Sequence, residues 1–186
     1  NIIELLLMLD AAKRASAKTV TAVIPYYGYA RQDRKDQPRV PISARMILDL
    51  MSAAGVDRMI TMDLHSPQIQ GFTNAPFDNL YSRIVLFNKL KDYNLNIDNG
   101  VVLAPDVGSA KMSQSYAKKL GIGFALIDKR RPKHNVAEVV NLIGDLNNRH
   151  VFIIDDMIDT AGTICNAAKT AIDHGAKSVV AVATHA

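Results

Sequence analysis

The sequence predicts an α/β protein with mostly parallel central sheets. Short apolar segments rich in β-branched residues alternate along the chain with amphipathic helical segments, a pattern typical of parallel sheets covered by helices. Several of these apolar segments run directly into polar or charged residues. Because ligands of open parallel sheets bind beyond the carboxyl ends of the strands, we expect the chemistry at that edge.

The first half of the chain begins with an amphipathic helix, because leucine and alanine at helical spacing lie opposite lysine and arginine. Ser43 is positioned to cap a second helix, and Gly55 is positioned to end it. The elements predicted here are a helix over residues 2–17, a strand over 19–25, a helix over 43–54, a strand over 57–63 and a helix near 80–93.

The second half continues the alternation, and its helices also end at glycines. Gly121 and Gly175 stand where two of these helices should stop. The elements predicted here are a strand over residues 101–105, a helix over 109–120, a strand over 124–128, a strand-like segment near 138–143, a strand over 151–155, a helix over 162–174 and a strand over 178–184.

The composition is that of a globular protein and favours anionic partners. Apolar residues make up 48% of the chain and charged residues 22%, which is enough for a packed core. The net charge of +4 suits phosphorylated metabolites and nucleic acid alike. The single cysteine, Cys165, excludes an internal disulfide and indicates a reducing compartment, so we expect a cytoplasmic protein. No apolar run is long enough to span a membrane, and no secretory signal peptide is visible.

The segment 151–163, VFIIDDMIDTAGT, is the clearest candidate ligand site. An apolar strand runs into Asp155 and Asp156, Asp159 follows, and a helix is predicted to start around Gly162. The first amides of a helix have no partner within it and lie at the positive end of its dipole, so they suit a phosphate. Carboxylates accept hydrogen bonds from sugar hydroxyls. The segment therefore predicts a sugar-phosphate site; the alternative is a capped helix with surface carboxylates.

Two further segments are strongly cationic. RQDRK at residues 31–35 places three cations in five residues, which suits a polyphosphate or an adenine stacked on a guanidinium. DKRRPKHNV at residues 128–136 holds Lys129, Arg130, Arg131 and Lys133. The alternatives are a solvated loop or a nucleic-acid patch. Nucleic acid is not expected, since aromatic residues do not interleave the cations and no nucleic-acid-binding fold is recognisable.

The DLH segment is a candidate metal site. Asp63 and His65 are two residues apart at a strand end, so in extended geometry they share a direction. A carboxylate and an imidazole can help to hold a hydrated divalent cation. Mg²⁺ prefers oxygen ligands and keeps several waters, so contact of His65 through water is an alternative to direct ligation. The other interpretation is a hydrogen-bonded structural histidine.

Several motifs together resemble the ribose-phosphate pyrophosphokinase family, which has the type I phosphoribosyltransferase fold. They are PYYGYARQDRK (25–35), MDLHSPQIQGF (62–72), PDVGS (105–109), DKRRPKHNVAEV (128–139) and VFIIDDMIDTAGT (151–163), in the family's order. Ordinary phosphoribosyltransferases are similar at 151–163 but lack the RQDRK and DLH segments. No P-loop, cysteine-based zinc spacing or G-x-S-x-G motif points to another class of enzyme.

The resemblance implies a Mg²⁺-dependent transferase of the diphosphokinase type, feeding nucleotide biosynthesis. The reaction would convert ATP and ribose 5-phosphate into 5-phosphoribosyl 1-diphosphate and AMP in a cytoplasmic homohexamer. The implied catalytic residues are Lys129 and Arg131, and the implied ATP-binding residues are Arg31 and Gln32. The ribose-5-phosphate residues would be Arg131, Asp155, Asp159, Thr160, Ala161, Gly162 and Thr163. The metal residues would be His65 and Asp106, with Asp63 and Asp78 as weaker candidates.

Two residues depart from the family's pattern. Asn74 stands where the family often has Asp, which weakens an acidic cluster across residues 63–78. Ser109 stands where the pyrophosphate-binding turn often has Gly, and it can still offer its N–H if its φ is negative.

The family is built of two similar domains, so we expect partial ones at residues 1–85, with the ATP-contacting loop, and 86–186, with the ribose-5-phosphate site. The chain looks shorter than family members at both ends. Two alternatives stay open. One is a phosphoribosyltransferase that consumes phosphoribosyl diphosphate, which would need a nucleobase hood. The other is a non-catalytic partner of the synthetase, which should lack the cations at 129 and 131; both are present.

Overall fold

The computed structural model describes residues 1–92, 99–130 and 139–186. It consists of two compact units, Asn1–Ser82 and Arg83–Ala186. Each unit combines helices with a sheet whose strands are parallel, except for one edge strand of the second unit. The predicted α/β class with mostly parallel sheets is therefore confirmed. Within the described residues, no helix has the length and apolar character needed to cross a bilayer.

The first unit holds a three-stranded parallel sheet in the order β1–β2–β3. Its elements, in chain order, are α1 (Ile2–Arg14), β1 (Thr21–Ile24), α2 (Ser43–Ala53), β2 (Arg58–Met62), a 3-10 helix (Pro67–Phe72) and β3 (Phe77–Leu80).

One face of this sheet is buried and the other is exposed. The register places Ala22, Met59 and Phe77 side by side, and all three are buried. Helices α1 and α2 contribute to the same core, as the leucine spacing of the first helix predicts, with Leu9 fully inside. Val23 points the other way and is 65% exposed. The alternation follows from the two-residue period of a strand.

The turn between α2 and β2 requires glycine. Gly55 has φ +97°, and a Cβ there would lie 2.5 Å from Cγ of Lys13. The Nζ of Lys13 donates to both carboxylate oxygens of Asp57, at 2.9 and 2.7 Å, and the Val20 N–H donates to Asp57 Oδ2 at 2.7 Å. These hydrogen bonds, that of Lys13 first, hold the pKa of Asp57 below its usual range. The cluster ties the end of α1 to the residue before β2.

The second unit holds a five-stranded sheet in the order β6–β5–β4–β7–β8, in which β6 is antiparallel to β5. Its elements are α3 (Arg83–Asp92), β4 (Gly100–Ala104), α4 (Ala110–Leu120), β5 (Gly123–Arg130), β6 (Val139–Ile143), β7 (His150–Met157), α5 (Gly162–Asp173) and β8 (Ser178–His185).

Both faces of this sheet are covered, and its central strand β4 is buried throughout. Leu103 and Ile153 lie on the face that packs with α5. Val102 and Phe152 lie on the opposite face, with residues of α3 and α4. Such two-sided burial is why these strands read as continuous apolar runs in the sequence.

Two predicted helix boundaries in the first unit are wrong. The first helix ends at Arg14 rather than at residue 17, and Ser16 has the left-handed φ of 61°. Ser43 does not cap α2: the residue before it, Ile42, occupies the cap position, and no side-chain cap hydrogen bond forms. Ser43 is buried within the first turn instead.

Strand β3 and the 3-10 helix have no counterpart among the predicted elements. Residues 77–80 pair with β2, so the helix predicted near residue 80 begins only at Arg83. The glycine stops are confirmed: Gly55, Gly121 and Gly175 follow helices and have φ values of +97°, +71° and +81°.

Candidate active site

The carboxyl ends of β4 and β7 bring three carboxylates to one edge of the second unit. The two strands are parallel neighbours, with Leu103 opposite Ile153. Asp106 follows β4 by two residues, and Asp155 and Asp156 lie near the end of β7. The negative charge of Asp106 acts on Asp155, which is the juxtaposition expected of strand-end residues.

Asp155 has a pKa far from that of a free carboxyl group. Partial burial is the main cause that raises its pKa from 3.8 to about 7, and interactions with Asp156 and the charge of Asp106 add to the rise. The N–H of Asp156 donates to Asp155 Oδ1 at 2.9 Å, which acts in the opposite direction. A carboxyl group with a pKa near neutrality can accept or donate a hydrogen bond, which suits a sugar hydroxyl.

Helix α5 begins directly after these carboxylates, and its first amides lack a partner within the helix. Its first intrahelical bond runs from the Cys165 N–H to the carbonyl of Ala161, so the amides of residues 162–164 have no partner within the helix. No side chain caps this end. Thr160 and Thr163 are exposed beside it and add hydroxyl groups. Amides at a helix start are groups that can bind an anion, so the site predicted from the TAGT sequence stays a prediction that this geometry suits.

Ala161, at the cap position of α5, adopts a left-handed backbone with φ 59° and ψ 3°. A residue with a Cβ pays about 1–2 kcal/mol in this region. Strain of this kind is concentrated at ligand-binding turns, where alternating right- and left-handed residues aim successive N–H groups at one anion. The conformation of Ala161 is therefore a second observation that points to an anion site.

Asp106 also organises the turn that precedes α4. Its Oδ1 accepts the N–H of Ser109 at 2.9 Å, and its carbonyl accepts the Ser109 hydroxyl at 3.0 Å. Ser109 has φ −86°, so serine occupies this position without left-handed strain. The expectation of a negative φ is met, although the Ser109 N–H already has an acceptor within the protein.

In the first unit, the RQDRK segment is an exposed loop whose backbone is hydrogen-bonded to neighbouring residues. Arg31 and Gln32 are both exposed. The Gln32 N–H donates to the carbonyl of Tyr29, and the Gln32 carbonyl accepts the N–H of Ala44 in α2. Tyr27 is buried, and its hydroxyl donates to the carbonyl of Ala44 at 2.8 Å. The loop thus presents its cationic and amide side chains from a fixed backbone.

His65 lies beyond the carboxyl end of β2 and is exposed. It belongs to the first unit, whereas Asp106 belongs to the second. The two weaker metal candidates already have partners. Asp63 Oδ2 accepts both the N–H and the hydroxyl of Ser82, at 3.1 and 2.5 Å. Asp78 pairs with Arg58, with its Oδ2 2.5 Å from Nη2.

The predicted catalytic loop joins β5 to β6. The antiparallel register pairs Lys129 with Val140 and Arg130 with Val139, so both ends of the intervening segment are fixed next to each other. Arg131 and the remaining cations of this segment, up to residue 138, lie outside the described residues.

Comparison with known proteins identifies the family. A model of the phosphoribosyl transferase domain matches residues 83–186, more than half of the chain. The chain belongs to the phosphoribosyl transferase family. A second model, the N-terminal domain of ribose phosphate pyrophosphokinase, matches residues 1–55.

Relatives of this phosphoribosyl transferase family member include proteins that are more than half identical to it. Two proteins called ribose-phosphate pyrophosphokinase, from Chlorobaculum tepidum and Caldanaerobacter subterraneus subsp. tengcongensis, are 56% and 53% identical to it over 185 residues. Both alignments cover 100% of this chain but only 57% and 58% of the relative. A crystal structure of phosphoribosylpyrophosphate synthetase from Mycobacterium smegmatis matches with a TM-score of 0.90 and 40% identity, over 99% of this chain and 59% of that one. The resemblance predicted from the sequence is confirmed, and the chain spans somewhat under three fifths of these relatives.

Within this phosphoribosyl transferase unit, sequence reasoning gave Asp156 no role although it lies inside the recognised motif. Its side chain and its N–H both act on Asp155. The doubled Asp was the available signal, because two neighbouring carboxylates at a strand end shift each other's pKa.

Proposed function

We propose that this chain is the core of a ribose-phosphate diphosphokinase, which converts ATP and ribose 5-phosphate into 5-phosphoribosyl 1-diphosphate and AMP. The match of residues 1–55 to the N-terminal domain of ribose phosphate pyrophosphokinase is the observation that carries this choice. The sugar-phosphate geometry of the second unit would fit a phosphoribosyltransferase equally well. We also propose that residues 1–85 and 86–186 are two phosphoribosyltransferase-like domains.

Ribose 5-phosphate is proposed to bind at the junction of β7 and α5. The 5-phosphate would accept hydrogen bonds from the amides that open α5 and from the hydroxyls of Thr160 and Thr163. The ribose hydroxyls would bond to Asp155 and Asp159. The amides that lack a partner within α5 and the left-handed Ala161 support this assignment. Arg131 is proposed to contact the same substrate.

ATP is proposed to bind at the loop that carries Arg31 and Gln32. A guanidinium can stack on adenine or bind phosphate oxygens in pairs, and an amide side chain can bond to the edge of a base. Both side chains are exposed on a backbone that is hydrogen-bonded to α2, which supports a prepared binding loop.

Mg²⁺ fits the available side chains only as a hydrated ion shared with substrate. Among the described residues, no group of three or more His, Cys, Asp or Glu side chains could hold a metal. Asp63 and Asp78 are occupied by Ser82 and Arg58. Mg²⁺ commonly binds through one or two protein groups, waters and substrate phosphates, so His65 and Asp106 are the residues proposed to hold it. When bound, it would neutralise charge on the phosphate oxygens.

In the proposed reaction the C1 hydroxyl oxygen of the sugar attacks the β-phosphorus of ATP. The bond from that phosphorus to the oxygen bridging it to the α-phosphate breaks, AMP leaves, and the hydroxyl proton is released. Transfer of this kind depends on in-line positioning and charge neutralisation rather than on a covalent intermediate. Lys129 and Arg131 are proposed to place positive charge on the transferring group.

One assay tests the proposal against both alternatives. The protein is incubated with ATP, Mg²⁺ and ribose 5-phosphate, and AMP and phosphoribosyl diphosphate are quantified. Stoichiometric formation of the two products is the expected result. Consumption of supplied phosphoribosyl diphosphate with a nucleobase would establish a phosphoribosyltransferase instead. Binding of both substrates without product would establish a non-catalytic partner.

We further propose that the protein acts in the cytoplasm as a homo-oligomer, a hexamer as in the family. The exposed side chains of Ile3, Leu7 and Met8 on α1 support self-association, because they are more than 60% exposed and closely spaced. Light scattering coupled to size exclusion would give the mass in solution, and a monomer at micromolar concentration would contradict the oligomer.

A further inference from the structure

His65 is an exposed residue held between two buried ones. Leu64 before it is 6% exposed and belongs to the core of the first unit, and Ser66 after it is 8% exposed. Ser66 opens the 3-10 helix, where its carbonyl accepts the N–H of Ile69, a fully buried residue. The backbone on both sides of the imidazole is therefore anchored by side chains inside the core.

Asn79 of β3 adds a directional contact to this turn. Its Oδ1 accepts the N–H of Leu64 at 3.0 Å, so the peptide immediately before His65 is bound to the neighbouring strand. The register places Asn79 opposite Thr61, near the carboxyl end of β2. A side-chain acceptor here replaces a ladder bond that the chain loses as it turns away from the sheet.

Asp63, the residue before Leu64, is hydrogen-bonded to the end of β3 and to the residues that follow it. The N–H of Asp63 donates to the carbonyl of Leu80 at 2.8 Å, and its carboxylate accepts two hydrogen bonds from Ser82. Asp63 has a left-handed φ of 44°. Such a strained turn persists only where its surroundings fix it, and here the fixing groups come from β3 and the residues that follow it.

We propose that Asn79 is a positioning residue for His65: its hydrogen bond to the Leu64 N–H fixes the backbone from which the imidazole would contact the metal. The inference rests on the proposed function, in which His65 holds Mg²⁺. Partners that orient a metal-binding residue commonly change metal affinity by 10–100-fold when removed.

The buried environment of Asn79 offers a matched control. The Nδ2 of Asn79 and the Oγ1 of Thr61 are both buried and have no hydrogen-bond partner among the residues that the structure describes. Thr61→Val removes a buried polar group from the register neighbour without touching the Leu64 hydrogen bond. Asn79→Leu keeps the branched shape of the side chain and removes the acceptor, which leaves the Leu64 N–H unsatisfied.

The first measurement requires neither turnover nor metal. Amide hydrogen exchange of Leu64 is followed in the wild type, Asn79→Leu and Thr61→Val. We expect exchange at Leu64 to accelerate about tenfold or more in Asn79→Leu, because the bond is worth about 1–3 kcal/mol, and to stay unchanged in Thr61→Val. Unchanged exchange in Asn79→Leu would overturn the inference. If Asn79→Leu does not fold by circular dichroism, Asn79→Ser is measured in its place.

The second measurement asks whether Asn79 acts through His65. The affinity for Mn²⁺, with α,β-methylene-ATP present, is measured by electron paramagnetic resonance for the wild type, His65→Ala, Asn79→Leu and the double variant. We expect about a tenfold loss for Asn79→Leu, and no further loss when it is added to His65→Ala, since coupled residues are not additive. Equal losses in both backgrounds would show an action independent of His65 and overturn the inference.

The two failures are distinguishable. If His65→Ala binds Mn²⁺ as the wild type does, the metal role in the proposed function fails, and the inference that depends on it fails as well. If His65→Ala loses affinity while Asn79→Leu does not, only the positioning role fails.

Discussion

The N–H of Asp156 donates a hydrogen bond to Oδ1 of Asp155 at 2.9 Å, although the two side chains carry the same charge. This bond favours the ionised form of Asp155, but burial and the neighbouring carboxylates outweigh it and raise the pKa to about 7. The folded protein therefore retains a proton on Asp155 at pH values where the unfolded chain has lost it.

The first prediction concerns stability against pH. As pH rises from about 4 to about 7, the unfolded chain releases this proton before the folded protein does, so Asp155 stabilises the wild type progressively less. Asp155→Asn has no such proton, so its melting temperature relative to the wild type should rise across this range. Thermal unfolding near pH 4 and near pH 8 measures the difference. Thr160→Ser is the control, and its difference from the wild type should not change with pH.

The second prediction concerns the left-handed residue before α5. Ala161→Val puts a β-branched side chain at φ 59°, where even alanine is strained, and should displace the helix amides from the phosphate. We expect the Kd for ribose 5-phosphate, measured by calorimetry, to rise about tenfold, equivalent to ~1.4 kcal/mol. Ala161→Gly accepts this backbone and should bind within about threefold of the wild type. Tight binding by Ala161→Val would argue against a phosphate at these amides.

The third prediction separates two costs of replacing glycine. Gly55→Ala meets both a positive φ and a Cβ contact of 2.5 Å with Lys13, whereas Gly121→Ala meets only a positive φ. Gly71→Ala meets neither. Denaturant unfolding should give losses of about 2–3 kcal/mol, about 1 kcal/mol and close to none, in that order. A loss for Gly55→Ala no larger than that for Gly121→Ala would mean that the Lys13 contact relaxes freely.

The fourth prediction tests the proposed transition-state cation. Lys129→Ala should lower the rate of AMP formation by about 10²–10³, because it removes a charge that acts on the transferring group. Binding of ribose 5-phosphate, measured by calorimetry, should remain nearly intact. Lys118→Ala, an exposed lysine in α4, should keep wild-type turnover. Wild-type-like turnover by Lys129→Ala would defeat the assignment.

Much of the fold was predictable because the apolar runs of β4 and β7, at the centre of the second unit's sheet, are strands buried on both faces. Val102 and Leu103 belong to a continuous apolar run, and that run alone predicts that both are buried. Strand β3 was not predictable in this way. Its residues FDNL contain two poor strand formers, Asp78 and Asn79, and it becomes a strand through pairing with β2.

The candidate site was predictable where the ligand groups are close in sequence. It was not predictable where strand pairing determines which side chains meet. The Asp-Thr-Ala-Gly-Thr run by itself predicts the start of α5 and therefore its first amides. The partners of Asp63 and Asp78 come from the register of β2 and β3 and the turn beyond them, which the residue spacing does not contain. That register also explains the contact between Asn79 and Leu64, which joins residues 15 positions apart.

The pairing of β5 with β6 fixes the alignment of the two strands independently of the segment that joins them. Since Arg130 and Val139 are ladder partners, the ends of residues 131–138 are held together whatever lies between them. Lengthening such a closed segment costs only about 0.6 kcal/mol per doubling. Natural variants and engineered grafts that keep Arg131 could therefore differ in the number of residues between Arg130 and Val139 while the strands on either side keep their alignment.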